Sequence, residues 1–540
     1  MTTRTLLRAA LLAGAALIGA FGTDVRAAGS MIVTYQSDVA TLDPAVGYDW
    51  QNWSMIKSLF DGLIDYAPGT TEIVPDLAES YEISADGLTY TFKLRQGVTF
   101  HNGREMTAED VKYSLERTIN PATQSPGASY YDTIKGYEDV ASGASTTLAG
   151  VTVVDPHTLT IELNRPDAPF LHKLALNFAF VVAKEAVEEH GADFGKNPVG
   201  TGAFKLAEWT LGQRVVFARN ADYYIADRPK LDEVVFEIGQ DPSVALLRLE
   251  RGEVDLLGDG IPPARFVDVM GNADLAKQVV QGGQLHTGYV TLNTRVAPLD
   301  NVAVRQALNH AINKDRIVQI INGRAVPANQ ALPPAMPAYN TAETGYAYDP
   351  EKAKALLAEA GLADGFSTEL YAMNTDPNPR IAQAIQQDLA AIGVTVEIKA
   401  LDPSVVIEAG GTEGAAPMIW SGGMAWIADF PDPSNFYWAI LGCGAAAPGG
   451  WNWSWYCNQD VDALAGQADA MTDPAQAQAR LDAWTRVFSK VLADAPWIPI
   501  FNEERFTMHS TRIAGDSDAI FVDPVHIPVH YDVVFATDAQ

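Results

Sequence analysis

Basic residues are scarce in this sequence, because only 37 Lys and Arg stand against 67 Asp and Glu in 540 residues. The formal net charge is −30, and a field of that sign repels nucleic acid and anionic membrane surfaces. Long apolar runs are also missing beyond the N-terminus, where charges, Gly or Pro interrupt every candidate. We therefore expect no nucleic-acid partner and no transmembrane helix after the N-terminus.

Motifs of common catalytic sites are missing as well. The chain has no Gly-x-Ser-x-Gly elbow, no His-Glu-x-x-His pair and no phosphate-binding Gly-x-x-x-x-Gly-Lys. Its nine His residues form no cluster with the spacing of metal ligands, so we expect no metal and no cofactor. Asp429 and Asp432 could form the acid pair of a glycosidase, which keeps a secreted hydrolase as an alternative.

The N-terminus has the pattern of a secretory signal peptide. Arg4 and Arg8 precede an apolar run over residues 9–21, and residues 25–27 offer small side chains for cleavage. We predict that residues 1–27 are removed and that the mature chain is released into the periplasm. No Cys follows the apolar run, which argues against a lipoprotein anchor.

Cysteine is almost absent, since Cys443 and Cys457 are the only two in the chain. An exported chain meets an oxidising compartment, which favours a disulfide between two cysteines that lie so close together. Two free thiols are the alternative. A disulfide would hold the loop beside Asp429.

Aromatic residues are concentrated around that carboxylate. Pro431 and Pro433 fix the backbone next to Asp429. Five of the 11 Trp residues lie between residues 421 and 457: Trp426, Trp438, Trp451, Trp453 and Trp455. A carboxylate among flat rings is typical of a pocket for a ligand with a positive or polar end. We predict a pocket here, and packing of the rings between domains is the alternative.

The length of 540 residues predicts two or three domains, because one hydrophobic core does not grow to that size. Helical and strand patterns alternate in the second half of the chain, which predicts an α/β domain with a mostly parallel sheet. The predicted helices cover 304–313, 350–360 and 381–392, and the predicted strands cover 367–373, 394–398 and 417–420. Strands at 288–293 and 497–507 are candidates for chain crossings between two domains.

Two local signals lie earlier in the chain. Ala85-Asp86-Gly87 predicts a hairpin turn between two alternating strands. Thr107 predicts the N-cap of a helix that runs to Arg117, with acidic residues in its first turn.

Short motifs are spread over nearly the whole mature chain. They are the run 77–117, Asn197-Pro-Val-Gly-Thr-Gly-Ala-Phe204, Arg219-Asn220 with Tyr223-Tyr224, the run 245–257, Leu292-Asn293-Thr294, and the run 300–308. Together they resemble the extracytoplasmic solute-binding proteins of the peptide and nickel class of ABC importers. The resemblance implies a two-lobe α/β periplasmic-binding-protein fold, type II-like, with an extra subdomain on the first lobe.

The resemblance also implies a domain division and a function. Lobe I would comprise 28–62, 197–287 and 508–540, the extra subdomain 63–196, and lobe II 288–507. Such proteins are not enzymes: they capture a peptide or peptide-like solute between the lobes and deliver it to an inner-membrane ABC permease. We expect a monomer. The alternatives are a non-peptide solute (an amine, opine, oligosaccharide or metal chelate), a hydrolase, or a chemosensory protein.

Two stretches carry candidate ligand-binding residues by this resemblance. Peptide-binding relatives bind the ligand's α-amino group with an Asp shortly after a Gly-Trp or similar pair, and here Trp426 and Asp429 match. The register between residues 42 and 62 matches relatives without gaps, which places Tyr48 and Trp50 on the wall of the first lobe.

A third stretch departs from the relatives. Dipeptide-binding relatives carry an Arg that grips the peptide carboxylate after an Ala-Met-Pro segment. Here Ala372-Met373 is followed by Asn374-Thr375-Asp376-Pro377, and the next Arg is Arg380. We expect Met373 and Asn374 to contact the ligand. Gly423 likewise replaces an Arg of oligopeptide-binding relatives. Because an Arg–carboxylate pair is strong and directional, its loss argues against a free dipeptide.

Overall fold

The computed structural model describes residues 29–422, 426–515, 525 and 530–537; the predicted signal peptide, residues 1–27, lies outside them. In chain order the strands are β1 (Ser30–Tyr35), β2 (Ile64–Tyr66), β3 (Ile73–Pro75), β4 (Ala78–Ile83), β5 (Thr89–Leu94), β6 (Val151–Asp155), β7 (Thr158–Glu162), β8 (Phe204–Thr210), β9 (Arg214–Arg219), β10 (Glu233–Ile238), β11 (Leu256–Leu257), β12 (Val279–Gly283), β13 (His286–Leu292), β14 (Ala325–Pro327), β15 (Ser367–Met373), β16 (Thr395–Leu401), β17 (Met418–Trp420), β18 (Trp426–Ile427), β19 (Trp497–Met508), β20 (Ile513–Gly515) and β21 (Val534–Ala536).

The α-helices follow the same order. They are α1 (Trp50–Leu59), α2 (Ala108–Ile119), α3 (Tyr137–Ala141), α4 (Phe170–Leu174), α5 (Lys184–His190), α6 (Pro242–Glu250), α7 (Phe266–Gly271), α8 (Ala273–Ala276), α9 (Val302–Ala311), α10 (Lys314–Ile320), α11 (Pro350–Glu359), α12 (Asn378–Ala390), α13 (Pro403–Gly410), α14 (Pro433–Ile440), α15 (Gln459–Asp469) and α16 (Ala477–Asp494). In the described part of the chain, no helix is both long and apolar enough to cross a membrane.

A five-stranded sheet in the order β11-β1-β10-β9-β8 is the centre of lobe I. Strand β1 is parallel to β10 and β11, whereas β10, β9 and β8 pair antiparallel. Strand β10 has the alternating burial expected of a strand with one face on the core. Val234, Phe236 and Ile238 are buried, and the residues between them are only partly buried.

A four-stranded antiparallel sheet, β4-β5-β7-β6, lies between the lobe I strands in sequence. The turn predicted at residues 85–87 joins β4 to β5, so the predicted hairpin is confirmed. Helix α2 begins at the predicted cap, where Thr107 and Asp110 form a reciprocal capping box.

An eight-stranded sheet runs through lobe II and takes its edge strand β12 from the segment predicted for lobe I. Its order is β12-β19-β13-β17-β15-β16, with β14 added to β19 and β18 to β13. The prediction of a mostly parallel sheet is wrong here, since only the pairs of β15 with β16 and β17 are parallel. The other pairs are antiparallel because β13 and β19, which form the middle of the sheet, run in opposite directions.

Strand β19 joins the two lobes. Its first half pairs with β13 and buries Ile498 and Ile500 in the core of lobe II. Its second half pairs with β12 and buries Phe506 and Met508 beside Leu246 of α6, in a cluster that also contains β11 of lobe I. One strand therefore belongs to two cores, and the predicted two-lobe α/β fold is confirmed.

The predicted disulfide is present between Cys443 and Cys457, and the described residues contain no free cysteine. It closes the loop that follows α14, the helix next to Asp429. The bond therefore restrains the segment that ends this helix.

Replacing both cysteines with serine should lower the free energy of unfolding by about 3 kcal/mol, because the bond closes a loop with a sequence separation of 14. Urea denaturation of the wild type, the reduced wild type and the double variant measures the loss. Alkylation before reduction should add no mass to protein taken from the periplasm. Two alkylated thiols, or identical denaturation curves, would contradict the prediction.

Candidate functional site

Asp429 lies between strand β18 and helix α14 of lobe II. Strand β18 pairs with His286 and Thr287 of β13, and the Ala428 N–H donates to the carbonyl of Leu285. The chain then turns and enters α14, whose N-cap is Asp432. Only 3% of Asp429 is exposed, so its carboxylate needs partners inside the protein.

Three side chains donate hydrogen bonds to the Asp429 carboxylate. The Tyr48 hydroxyl donates to Oδ1 at 2.5 Å, and the Tyr130 hydroxyl donates to Oδ2 at 2.6 Å. The Asn435 side-chain amide donates to Oδ2 at 3.0 Å. Both tyrosines precede the first chain crossing and belong to the lobe I side. The carboxylate therefore joins the two lobes directly.

The tyrosines remain donors over the whole physiological pH range. Burial raises the pKa of the Tyr48 hydroxyl, and the neighbouring Asp429 carboxylate raises it further. The same two causes raise the pKa of Tyr130 well above its ordinary value. Among the described residues, Asp429 forms no ion pair with Lys or Arg. Hydrogen bonds alone therefore compensate its negative charge.

A small pocket opens beside the carboxylate. Trp53, Lys57, Asn177 and Phe180 of lobe I line it together with Asp429. Its volume is about 30 Å³, far below the roughly 300–1,000 Å³ of typical small-molecule sites. With the lobes in this arrangement, the pocket beside Asp429 is too small for a peptide.

A larger cavity of about 230 Å³ lies on the lobe I side and shares Lys57 and Asp65 with the pocket. Lys57 forms an ion pair with Asp65, and Arg228 forms one with Asp532 at 3.0 Å. Asp76 also lines the cavity. Burial raises the pKa of Asp76 to about 7, with a further contribution from the nearby Asp65. Burial also raises the pKa of Asp61, another lining carboxyl, so the cavity holds both signs of charge and is not strongly acidic.

Comparison with known proteins places the chain in a family. The profile of the bacterial extracellular solute-binding proteins, family 5, middle region, matches residues 72–448, which is more than half of the chain. The chain belongs to this family. The dipeptide-binding protein of Escherichia coli is 36% identical over 436 residues, covering 77% of this chain and 78% of the relative. Heme-binding protein A of Haemophilus influenzae is 33% identical over 485 residues, covering 85% and 84%.

A solved family 5 structure has the same fold. The ABC transporter-associated periplasmic binding protein DppA from Helicobacter pylori, in complex with the peptide STSA, superposes with a TM-score of 0.74 at 29% identity, covering 95% of this chain and 98% of the other. The resemblance inferred from the sequence motifs is thereby confirmed.

The structure brings together some of the predicted ligand-binding residues of this family 5 protein. Tyr48 and Asp429 are in contact, and Trp426 adjoins Asp429 through Asn435. Trp50 begins α1, and its side chain lies outside the described part of the chain.

Met373 and Asn374 lie elsewhere. Met373 is buried in a separate cluster with Val406 and Ile419, and Asn374 is exposed at the end of β15. Neither is among the described residues that line the pocket at Asp429. Their role in binding stays a prediction.

Most of the tryptophans near Asp429 in sequence serve packing and not the pocket. Trp451 stacks on Trp453, which is buried in the cluster of Met373. The indole N–H of Trp438 donates to Asp469, and that of Trp455 donates to the carbonyl of Gly410. The contacts of these four rings lie within lobe II, where Trp438 and Trp451 stay partly exposed, and none of the four lines the pocket at Asp429.

Sequence reasoning missed Tyr130 and Asn435. Tyr130 is separated from Asp429 by 299 positions, and nothing near it in the chain indicates the contact. The sequence does indicate the contact of Asn435, because an Asn in the first turn of a helix can form hydrogen bonds with the residues just before it.

Asp432 has a structural role that differs from that of Asp429. It caps α14 by accepting from the Ser434 N–H, and Arg480 binds both its oxygens at 2.7 and 2.9 Å. Burial alone would raise the pKa of Asp432, but the Arg480 guanidinium outweighs burial and lowers the pKa to about 2. A carboxylate so engaged is not available as the partner acid of a glycosidase.

Asp432→Asn should destabilise the fold by about 2–3 kcal/mol at pH 7, because Arg480 loses the nearer of its two carboxylate partners and keeps only Asp469 at 3.3 Å. The pKa of this carboxyl is about 2 in the folded state, below the roughly 3.9 of an unfolded Asp. Its stabilising effect is therefore complete above pH ~4 and is lost as the pH falls through the folded value. Denaturation curves measured from pH 7 to 2 give the free energy of unfolding of both proteins. The difference between wild type and variant should become smaller below pH ~4.

Asp193→Asn is the matched control, since Asp193 forms an exposed ion pair with Lys196. It should change the stability little at any pH. If the difference in the free energy of unfolding between wild type and Asp432→Asn stays constant down to pH 2, the ion-pair explanation is contradicted.

Proposed function

We propose that this protein is the periplasmic substrate-binding component of an ABC transporter, which captures a peptide or peptide-like solute between its lobes and delivers it to an inner-membrane permease. The observation that carries the proposal is Asp429, a buried carboxylate at the contact between the lobes, with no basic partner among the described residues. A site of this kind favours a ligand ammonium group. The relative named for dipeptide binding and the complex with peptide STSA support a peptide.

The proposal includes a domain division and a cellular location. Lobe I comprises 28–62, 197–287 and 508–540, the extra subdomain 63–196, and lobe II 288–507. Residues 1–27 act as a signal peptide, and the mature chain is a periplasmic monomer without enzymatic activity. The periplasmic relative supports the location.

A non-peptide solute is the second candidate. The relative named heme-binding protein A is 33% identical, and this chain has no Arg between Met373 and Arg380 and has Gly at residue 423. Asp429, which forms no ion pair with Lys or Arg among the described residues, suits a ligand with a positive end, such as an amine. Native mass spectrometry of protein purified from the periplasm, followed by thermal-shift assays with peptides, amines and heme, identifies the ligand class. Stabilisation by heme or amines alone would overturn the peptide proposal.

Asp429→Asn should weaken the binding of a peptide with a free amino terminus by roughly 10- to 150-fold. This range corresponds to about 1.5–3 kcal/mol for a hydrogen bond to a charged group. Calorimetric titration measures the change. The N-acetylated form of the same peptide should bind wild type and variant alike, because it lacks the ammonium group.

Asp388→Asn is a matched control, because Asp388 is a buried carboxylate of lobe II that binds the Asn313 N–H and Arg316. It should leave the affinity unchanged. Equal losses for the free and the acetylated peptide would show that Asp429 shapes the loop and does not bind the amine.

Lobe closure should accompany binding, since hinge closure around a ligand brings Asp429 against the lobe I tyrosines. Small-angle scattering should show a smaller radius of gyration at saturating ligand. Replacing Tyr48 and Tyr130 with Phe removes two hydrogen bonds between the lobes and should enlarge the radius of the ligand-free protein.

Tyr346→Phe removes a hydroxyl that donates to the Leu492 carbonyl within lobe II, and it should leave the scattering profile unchanged. Identical radii with and without ligand, for both the wild type and the double variant, would refute closure.

A further inference from the structure

Asn435 contacts both lobe II residues of the candidate site. Its side-chain oxygen accepts from the Asp429 backbone N–H at 3.1 Å and from the Trp426 indole N–H at 3.0 Å. Its side-chain NH2 donates to Asp429 Oδ2 at 3.0 Å. Only 5% of Asn435 is exposed, so these bonds do not compete with water.

The orientation of this amide is unambiguous. Two N–H donors face its oxygen and a carboxylate faces its NH2 group, so the reversed amide would lose all three bonds. Asn435 therefore sets the backbone of Asp429, one of its carboxylate oxygens and the plane of the Trp426 ring together.

The position of Asn435 in lobe II distinguishes it from the two tyrosines. Tyr48 and Tyr130 belong to the lobe I side and leave Asp429 when the lobes separate. Asn435 lies in the first turn of α14, six residues after Asp429, and moves with it. It is thus the donor that stays on the carboxylate in an open protein.

The helix that carries Asn435 is itself anchored. Asp432 caps α14, and its ion pair with Arg480 ties the start of this helix to α16. The Asn435 backbone N–H donates to the Asp432 carbonyl at 3.0 Å. The anchored start of α14 therefore fixes the position of the Asn435 side-chain amide.

We propose that Asn435 is a positioning residue, which holds the Asp429 carboxylate and the Trp426 indole in their ligand-binding arrangement before the lobes close. The part of this inference that concerns affinity rests on the proposed role of Asp429. Holding a carboxylate in place in advance reduces the entropy that is lost on binding. A ligand with an ammonium group gains from this arrangement, whereas a ligand without one does not.

The first test needs no ligand. Subtracting the emission spectrum of a Trp426→Phe counterpart from that of each protein isolates the fluorescence of Trp426. Asn435→Leu should shift this difference spectrum, because the indole loses its acceptor. Asn452→Leu is the matched control, since Asn452 is a buried Asn with three side-chain hydrogen bonds to Gly442, Tyr456 and Ser454. A Trp426 spectrum that Asn435→Leu leaves unchanged would overturn the proposal.

The second test is a double-mutant cycle with Asp429→Asn, measured by titration with a peptide that has a free amino terminus. Asn435→Leu should weaken binding about tenfold in the wild type and less than threefold in the Asp429→Asn background. The same loss in both backgrounds would show a general structural effect and overturn the proposal. If Asp429→Asn alone has no effect, the ammonium site fails, and the Trp426 spectrum still decides the role of Asn435.

Asn435→Asp is the alternative test variant if Asn435→Leu does not fold. This substitution keeps the acceptor for both N–H groups but puts a second carboxylate against Asp429, so the pair takes up a proton at a raised pKa. The Trp426 spectrum should stay as in the wild type. As the pH is lowered from 8 to 5, the affinity for the peptide should fall more steeply in the variant than in the wild type, because the proton on the pair competes with the ammonium, whereas Asp76, with a pKa of about 7, titrates in both proteins. A pH profile in the variant that is no steeper than that of the wild type would contradict the proposal.

Discussion

The hydrogen bonds from Tyr48 and Tyr130 to the Asp429 carboxylate are the interaction on which the site depends. They join a loop of lobe II to lobe I, and they satisfy a charge that is almost fully buried. A buried carboxylate without a cation is costly unless donors surround it. Because Tyr48 and Tyr130 belong to the opposite lobe, separation of the lobes would leave the carboxylate with one of its three side-chain donors, Asn435.

Asp429 and Asp432 are only three positions apart, but their carboxylates have different kinds of partner. Asp432 accepts from the Ser434 N–H and from Arg480, and these bonds hold the start of α14. Asp429 has no such cation among the described residues, and its partners come from the opposite lobe and from Asn435. A carboxylate already neutralised within its own lobe contributes to stability, whereas one without a cation is able to bind a positively charged group.

The charges around the pocket bear on the kind of ligand. Relatives of this chain are named for dipeptides and for heme, and this chain has no Arg between Met373 and Arg380, where an Arg for a peptide carboxylate is expected. Lys57 lines the pocket but is paired with Asp65. No other Lys or Arg among the described residues lines this pocket, so Asp429 favours the positive end of a ligand more than its negative end.

The sequence by itself determined the features that depend on neighbouring residues. The Thr107 cap, the hairpin before β5, strand β15, the disulfide and the family motifs were all predicted, because periodicity, turns and short loops are local. Only the tertiary structure decided the direction of the lobe II strands, the use of four tryptophans in packing, and the contact of Tyr130 with Asp429. Those features depend on how segments hundreds of residues apart pack together, and a carboxylate in the sequence carries no sign of the hydroxyl that will reach it from another lobe.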